Sequence, residues 1–594
     1  MNKYFIIISC FLVSFLWSCD TLEIENLSDY DANSVWNDEK LATAYVTNLY
    51  ATVFTNWDSA ADQNSEQVSG IPFYIGTITI SGSSYKKWNY TTIRRINAAI
   101  QDISQGDLPD NIKQLLTAQV LFMRAYVYFD MVVYHGGVPY IKVPQNKETD
   151  DLLVQRNTTA ECYGFIVKDL EDAILGLPDK ISSSSGDYGR IDKVYAKAFK
   201  AKVLLYKASP QFNPSHPYTN AYWADAYSAA KDAYDFAKEQ GSALTPNYSD
   251  IFVKEGGAEV LFAVINEYPN KTATWDWHLR PQSLSTGQIQ RTPTWDMVKA
   301  FPMADGKQFD DATGKYYVSS ETDLMQSFWK NRDPRFYSSI LCSGQELPVA
   351  GMAAGYRQYT ALGLADDADA YGTNPNSGGA TTTKNDVMSG FYVRKALDLS
   401  LTPEITDQYS LDCIKMRFAE LMMIYAEAAN EAGHSDVTIE ILKEIRKRAG
   451  IEAGDGNYGL PASPAREELR QIILDERNIE FCFEGHRFWD LRRTRNMMIL
   501  SGLQKYGLES IAIDRATGLD MPINTAKEKA KNFELTPDDF RYVKQRVPYN
   551  PNAENTFVVE ETFYFFPLQK TVLDENPNLE QNSNWGGTFN PALE

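Results

Sequence analysis

Histidine, cysteine and basic charge are all scarce in this 594-residue chain. Its five histidines (His135, His216, His278, His434 and His486) are scattered, so the sequence does not suggest a metal centre built from them. Six cysteines include no CxxC pair, which excludes zinc ribbons and thioredoxin-type redox centres. Lys and Arg number 57 against 78 Asp and Glu, a formal net charge of -21. That surplus repels phosphates and anionic lipid, and excludes nucleic acid as a partner. Past the N-terminus no apolar run approaches the ~20 residues of a spanning helix. The patterns GxxxxGK[ST], HExxH and GxSxG do not occur, so P-loop, zincin and serine-hydrolase chemistry has no signal. The stretch from Asp367 through Asp369 and Tyr371 to Gly372 has the opening spacing of a calcium loop. Its twelfth position is Gly378, where a bidentate Glu belongs, and the match fails. No cofactor and no metal are expected.

Apolar and aromatic residues are plentiful. The hydrophobic fraction is 44%, with 29 Phe, 11 Trp and 35 Tyr, ample for a large core and incompatible with a disordered or collagen-like chain. At the N-terminus one lysine, Lys3, precedes an apolar stretch over 5–17 that ends in Leu16-Trp17-Ser18-Cys19. The length suits a signal-peptide core, and the ending resembles a bacterial lipobox. Residues 1–18 are therefore expected to be cleaved, with lipid attached at Cys19. Cleavage would remove Lys3 and leave 56 basic against 78 acidic residues, a net of -22. Cys162, Cys342, Cys413 and Cys482 remain, and the sequence leaves their pairing open.

The dominant pattern is the amphipathic helix. Over 111–135 apolar residues recur with a 3.6-residue period, stopped by Gly136-Gly137 and Pro139. Alanine-lined helices follow over 192–208 and 223–239 and suggest close hairpin packing like that of tetratricopeptide repeats. A second hairpin is predicted from 411–432 and 435–449, and a long helix from Ser463-Pro464 to Gly485, with Cys482 inside it. Long irregular stretches at 55–88, 269–302 and 341–390 interrupt the helices; loops of this length are usually functional. The fold class expected is mainly α, with TPR-like helical hairpins, large irregular loops and few short strands. Glu480 and Glu484 invite an acid/base reading, but the charges around them (Asp475, Glu476, Arg477, Asp490, Arg492 and Arg493) favour structural ion pairs.

The segment ILDERNIEFCFEGHRFWDLRR, preceded by MRFAELMMIYAEAANEAG and EIRKRAG, resembles the C-terminal signature of the SusD/RagB family. FYFFPLQKTVLDENPNLEQN resembles its closing motif, RTPTWDMVKAFPMADG and NRDPRF its middle, and FMRAYVYFDMVVYHGGVPY with GRIDKVYAKAFKAKVLLY its N-terminal half. The resemblance implies a SusD-like fold, with an N-terminal TPR-like region over 19–250 and a C-terminal region over 251–594 packed as one unit. It also implies an outer-membrane lipoprotein that binds oligosaccharides, or on an alternative reading peptides or glycopeptides. The implied partner is a SusC-type TonB-dependent transporter, on which the protein sits as a lid. A surface glycosidase is a remote alternative. The motifs themselves read as scaffold: Arg124, Arg417, Glu476, Arg477, Phe488 and Trp489 are expected to hold helices together. The aromatic run at 563–566 should be extended, with Pro567 turning the chain.

Sugar recognition needs flat apolar faces beside hydroxyl-binding polar groups. The loop blocks offer Asn56, Trp57, Asp58, Tyr74, Tyr85 and Trp88; then Trp275, Trp277, His278 and Arg280; then Tyr371 and Asn374. Of these Trp57, Tyr74, Trp88, Trp275, Trp277, Arg280 and Tyr371 are the leading candidates. Trp275 and Trp277, either side of Asp276, suggest an exposed Trp-x-Trp platform. Trp295 is assigned to packing and Trp329 to neither role.

Overall fold

The computed structural model describes residues 35–57, 60–70, 78–82, 87–287, 291–365, 369–370, 389–547 and 557–593. Residues 1–18, Cys19, Asp58, Tyr74, Tyr85, Tyr371 and Asn374 lie outside them. The main helices are α1 (Glu39–Val53), α2 (Tyr90–Gln105), α3 (Asp110–His135), α4 (Thr159–Gly176), α5 (Lys193–Ala208) and α6 (Tyr222–Glu239). After them come the short α7 (Trp275–Leu279), then α8 (Phe418–Glu431), α9 (Ser435–Ala449), α10 (Arg466–Glu480) and α11 (His486–Arg493). Among the described residues the strands form only three two-stranded antiparallel sheets. These are β1 (Val260–Val264) with β4 (Cys413–Arg417), β2 (Ile340–Cys342) with β3 (Phe391–Val393), and β5 (Tyr506–Ala512) with β6 (Phe540–Arg546). The fold is mainly α with few short strands, as expected.

Local chemistry explains the helix ends. Asp192 accepts from Tyr195 N to cap α5, and Thr158 with Glu161 forms a capping box at α4. Helix α3 stops at Gly136, whose φ of 77° is a left-handed value that glycine adopts without a Cβ penalty. By length and composition α3 passes as a membrane span, yet 78% of its apolar window is buried inside the protein. It is a core helix.

Alanines let the hairpins close. Ala226, Ala230, Ala233 and Ala237 are fully buried along α6, and Ala196, Ala198 and Ala201 along α5. Tyr234 of α6 stacks on Phe418 of α8 at 5.5 Å, so helices from the two halves of the chain share one apolar cluster. A second cluster lies around Trp295, Phe328, Phe336 and Tyr542. Trp295 is fully buried, as assigned, and Trp329 is half-buried with its ring 5.2 Å from Tyr542.

Three elements differ from the sequence reading. The helix predicted over 411–432 begins only at Phe418, because residues 413–417 pair with β1 as β4. Here sheet pairing overrides helix propensity. The helix predicted over 463–485 runs only from Arg466 to Glu480, and its cap residue, Ala465, makes no side-chain cap bond. Phe483 (φ 64°) and Gly485 (φ 78°) then turn the chain into α11, so Cys482 sits in a buried turn. The run at 563–566 is not uniformly extended: 561–564 form a 3-10 turn that buries Phe563 and Tyr564. Gly454, Gly456 and Gly459 also have the spacing GxGxxG, and they occupy a turn between α9 and α10. No strand feeds that turn, so it lacks the strand–turn–helix context of a dinucleotide loop. Cys162, Cys342, Cys413 and Cys482 are all buried free thiols.

Candidate functional site: an aromatic junction beside a charged cleft

The first two loop blocks meet at Trp57. Its ring lies 4.6 Å from that of Trp275, tilted by 57°, and its Nε1–H donates to the Ile414 carbonyl at 2.9 Å. Asn56 beside it accepts from the Asn266 side chain at 3.1 Å. The crevice between Trp57, Trp275 and His278 is about 20 Å³, too small for more than a water. On this side the tryptophans are packed together.

The exposed Trp-x-Trp platform is not what forms. Residues 275–279 make one short helical turn, which sends the two rings in different directions. Trp275 is only 7% exposed and donates to the Lys395 carbonyl at 3.0 Å. Trp277 is half-buried, and a Cβ at Gly287 would fall inside its indole. Arg280, placed among the ligand contacts, is fully buried instead. It forks onto Asp276 and donates to the carbonyls of Asp398 and Leu401, so its donors serve the loop. Asp276 is buried as well, and burial pushes its carboxyl up to about 7 despite the guanidinium. Trp88 is separate from this junction; it lies against Tyr90 at 5.1 Å and edge-on to His135 at 6.2 Å.

The other face of Trp57 borders a cleft of about 190 Å³. Its walls are supplied by α3 (Tyr126), α5 (Lys202, Tyr206), β4 (Ile414 to Arg417), α8 (Glu420) and the turn into α11 (Phe483 to His486, Trp489). Lys202 Nζ lies 2.9 Å from Glu420 Oε1, and His486 Nδ1 lies 3.8 Å from the same oxygen. Glu420 is 1% exposed, while Lys202 and His486 keep 23% and 16%, so solvent reaches the cleft past them. Burial opposes the charge on both partners of the pair. Their mutual attraction outweighs it, holding Lys202 above and Glu420 below their usual ranges. Burial lowers His486 to about 4, so its imidazole is neutral at physiological pH.

Behind the cleft lies an ion-pair network. Arg417 reaches Glu259 and Glu480 at 2.7 Å and Glu484 at 2.9 Å. Glu480 also contacts Arg335 at 2.8 Å and Arg448, and Glu484 contacts Lys395 at 2.6 Å. The carboxylates of Glu480 and Glu484 are thus fully committed to cations, which supports their structural reading over acid/base chemistry. The other motif residues also bind scaffold: Arg124 pairs with Asp169, Glu476 with Arg335 and Arg446, and Arg477 with Asp490.

Lys202, Glu420, Tyr126 and His486 did not stand out in the sequence as site residues. The available signal was a lysine and a glutamate on the buried faces of alanine-rich helices, where charge needs a partner.

Fold and site together define a helical-hairpin scaffold whose loops and inner helices frame an aromatic, polar recess. The sequence model described as the SusD family matches residues 223–585, and one described as starch-binding and associating with the outer membrane matches residues 22–205. The chain belongs to the SusD family. It is 23% identical over 526 residues to SusD-like protein P38 of Formosa agariphila, covering 82% of this chain and 90% of that one. Among solved structures it resembles a SusD-like protein of Bacteroides fragilis, with a TM-score of 0.71, 23% identity, and coverage of 93% and 98%. It also resembles a SusD-like carbohydrate-binding protein of the same species, with a TM-score of 0.68, 20% identity, and coverage of 92% and 99%.

Proposed function

We propose that this protein captures oligosaccharides at the outer face of the bacterial outer membrane and delivers them to a SusC-type TonB-dependent transporter. The carrying observation is the junction at Trp57, where two loop blocks more than 200 residues apart bring aromatic rings together beside a solvent-reached recess. Membership of the SusD family, and a fold like that of a protein described as carbohydrate-binding, support this reading. In it Trp57 and Trp277 offer ring faces to sugar C–H surfaces, with Trp275 and Arg280 as the packed support beneath. Trp88, apart from the junction, and Tyr74 and Tyr371, outside the described residues, are proposed as further ligand contacts. The chemistry is binding, with no bond broken. Lipid on Cys19 tethers the protein, and the surplus of acidic charge keeps its surface solvated.

A panel of polysaccharides tests the proposal. Retention of at least one glycan without release of reducing ends is expected; hydrolysis, or retention of peptides alone, would count against it. Cys19→Ala should move the protein from the membrane to the soluble fraction. Purification of the unaltered protein in mild detergent should bring a large barrel protein with it.

A further inference from the structure

The cleft beside Trp57 has a composition that loop packing alone does not require. Glu420 Oε1 faces Lys202, but Oε2, buried with the rest of the side chain, accepts no hydrogen bond from any described residue. A buried carboxylate oxygen without a donor is costly, and such a position is normally filled by water or a ligand hydroxyl. Lys415 also lines the cleft, half-buried, one residue from the Ile414 carbonyl that holds Trp57. Among the described residues its ammonium makes neither an ion pair nor a hydrogen bond. The other charges are engaged: Lys202 by Glu420, Arg417 by three glutamates, Glu484 by Arg417 and Lys395, and Asp62 by the Gly485 N–H. Trp57, Tyr126 and Trp489 supply aromatic surface around these groups. The volume of about 190 Å³ is below the ~300 Å³ at which pockets for drug-sized ligands begin. That is room for one sugar ring, not a chain.

We infer that this cleft is a distinct subsite for a single acidic sugar residue, whose carboxylate pairs with Lys415 and whose hydroxyls donate to Glu420 Oε2. The inference rests on the glycan-binding reading and adds to it the chemical class of one residue of the ligand. A hydroxyl donor suits Glu420, because an anion placed there would meet a carboxylate. Lys415, lining the same cleft, offers a carboxylate a cation with no ion-pair partner among the described residues. The neutral His486 imidazole adds no repulsion toward either end.

The test is calorimetric titration of the full-length protein with glucuronate, galacturonate, glucose and galactose. At least one uronate should bind, and both neutral sugars should bind at least tenfold more weakly. Lys415→Met should remove that preference, and added salt should weaken uronate binding to the unaltered protein. Glu420→Gln is a second variant, expected to weaken both classes of sugar. Should it fail to fold, the Lys415→Met result still decides the matter. Equal binding of acidic and neutral sugars, an unchanged preference in Lys415→Met, or no uronate binding would overturn the inference. If neutral polysaccharides are still retained while uronates fail, the subsite is wrong and the glycan-binding reading stands; if no glycan is retained, that reading has failed.

Discussion

Arg417 shows how much one residue carries in this fold. Its guanidinium is 1% exposed and neutralises Glu259, Glu480 and Glu484, which are themselves 5% exposed or less. Removing one partner of a buried pair leaves uncompensated charge and costs about 3–5 kcal/mol. Arg417→Met should therefore destabilise the protein by that amount in a denaturant titration, with binding in the folded fraction changed far less. Glu480→Gln should destabilise in the same direction, because Arg335, Arg417 and Arg448 all lean on it. At this scale the sequence was partly legible. The alternating charges after Asp475 identified an ion-pair network, but nothing in the local pattern said that Arg417, more than fifty residues upstream, stands at its centre. Arg280 failed as a ligand candidate for a similar reason. Its partner Asp276 is one helical turn away, and the helix that brings them together is five residues long.

Among the elements, the short turn at α7 controls which tryptophan reaches outward. Gly287 lies flat against the Trp277 indole, with no space for a methyl group. Gly287→Ala should displace that ring and weaken oligosaccharide affinity, while the melting temperature stays within a few degrees of the unaltered protein. Titration beside a thermal melt separates the two effects. Long helices with unbroken 3.6-residue periodicity were readable to within a residue or two, as α3, α5 and α6 show. Elements whose shape is set by distant pairing were not. Cys413 to Arg417 reads as the start of a helix until β1 supplies a strand to pair with. Helix α10 ends early because Phe481, Cys482 and Phe483 turn inward into the core.

Across the whole molecule, acid sensitivity follows from burial. His135 and His486 are held neutral by desolvation, lowered from 6.5 to about 3 and about 4 respectively. The unfolded chain binds these protons more readily than the folded one, so stability is fully present above the unfolded value and is lost as pH falls from about 6.5 toward 4. A pKa that differs by one between the folded and unfolded chain corresponds to ~1.4 kcal/mol, which makes His486 worth about 2–3 kcal/mol over this interval. Glu484, lowered to about 2 by Arg417 and Lys395 against the cost of burial, adds acid loss below its unfolded value of 4.5. The melting temperature should fall steadily below pH 6.5, and His486→Gln should flatten the upper part of that curve. At this scale the overall class was visible in the sequence, since helical periodicity and ordered motifs extend through most of the chain. The cleft was not, because its walls come from five segments between Trp57 and Trp489 that only the tertiary fold assembles.

If loop aromatics around Trp57 and Trp277 hold a glycan, removing one ring must weaken its binding. Calorimetric titration of a panel-selected oligosaccharide into the unaltered protein and into Trp277→Ala probes this without disturbing the core. Losing one aromatic contact worth ~1.4 kcal/mol should weaken affinity about tenfold at unchanged melting temperature. Equal affinity in the two proteins, with both folded, would contradict this mode of binding.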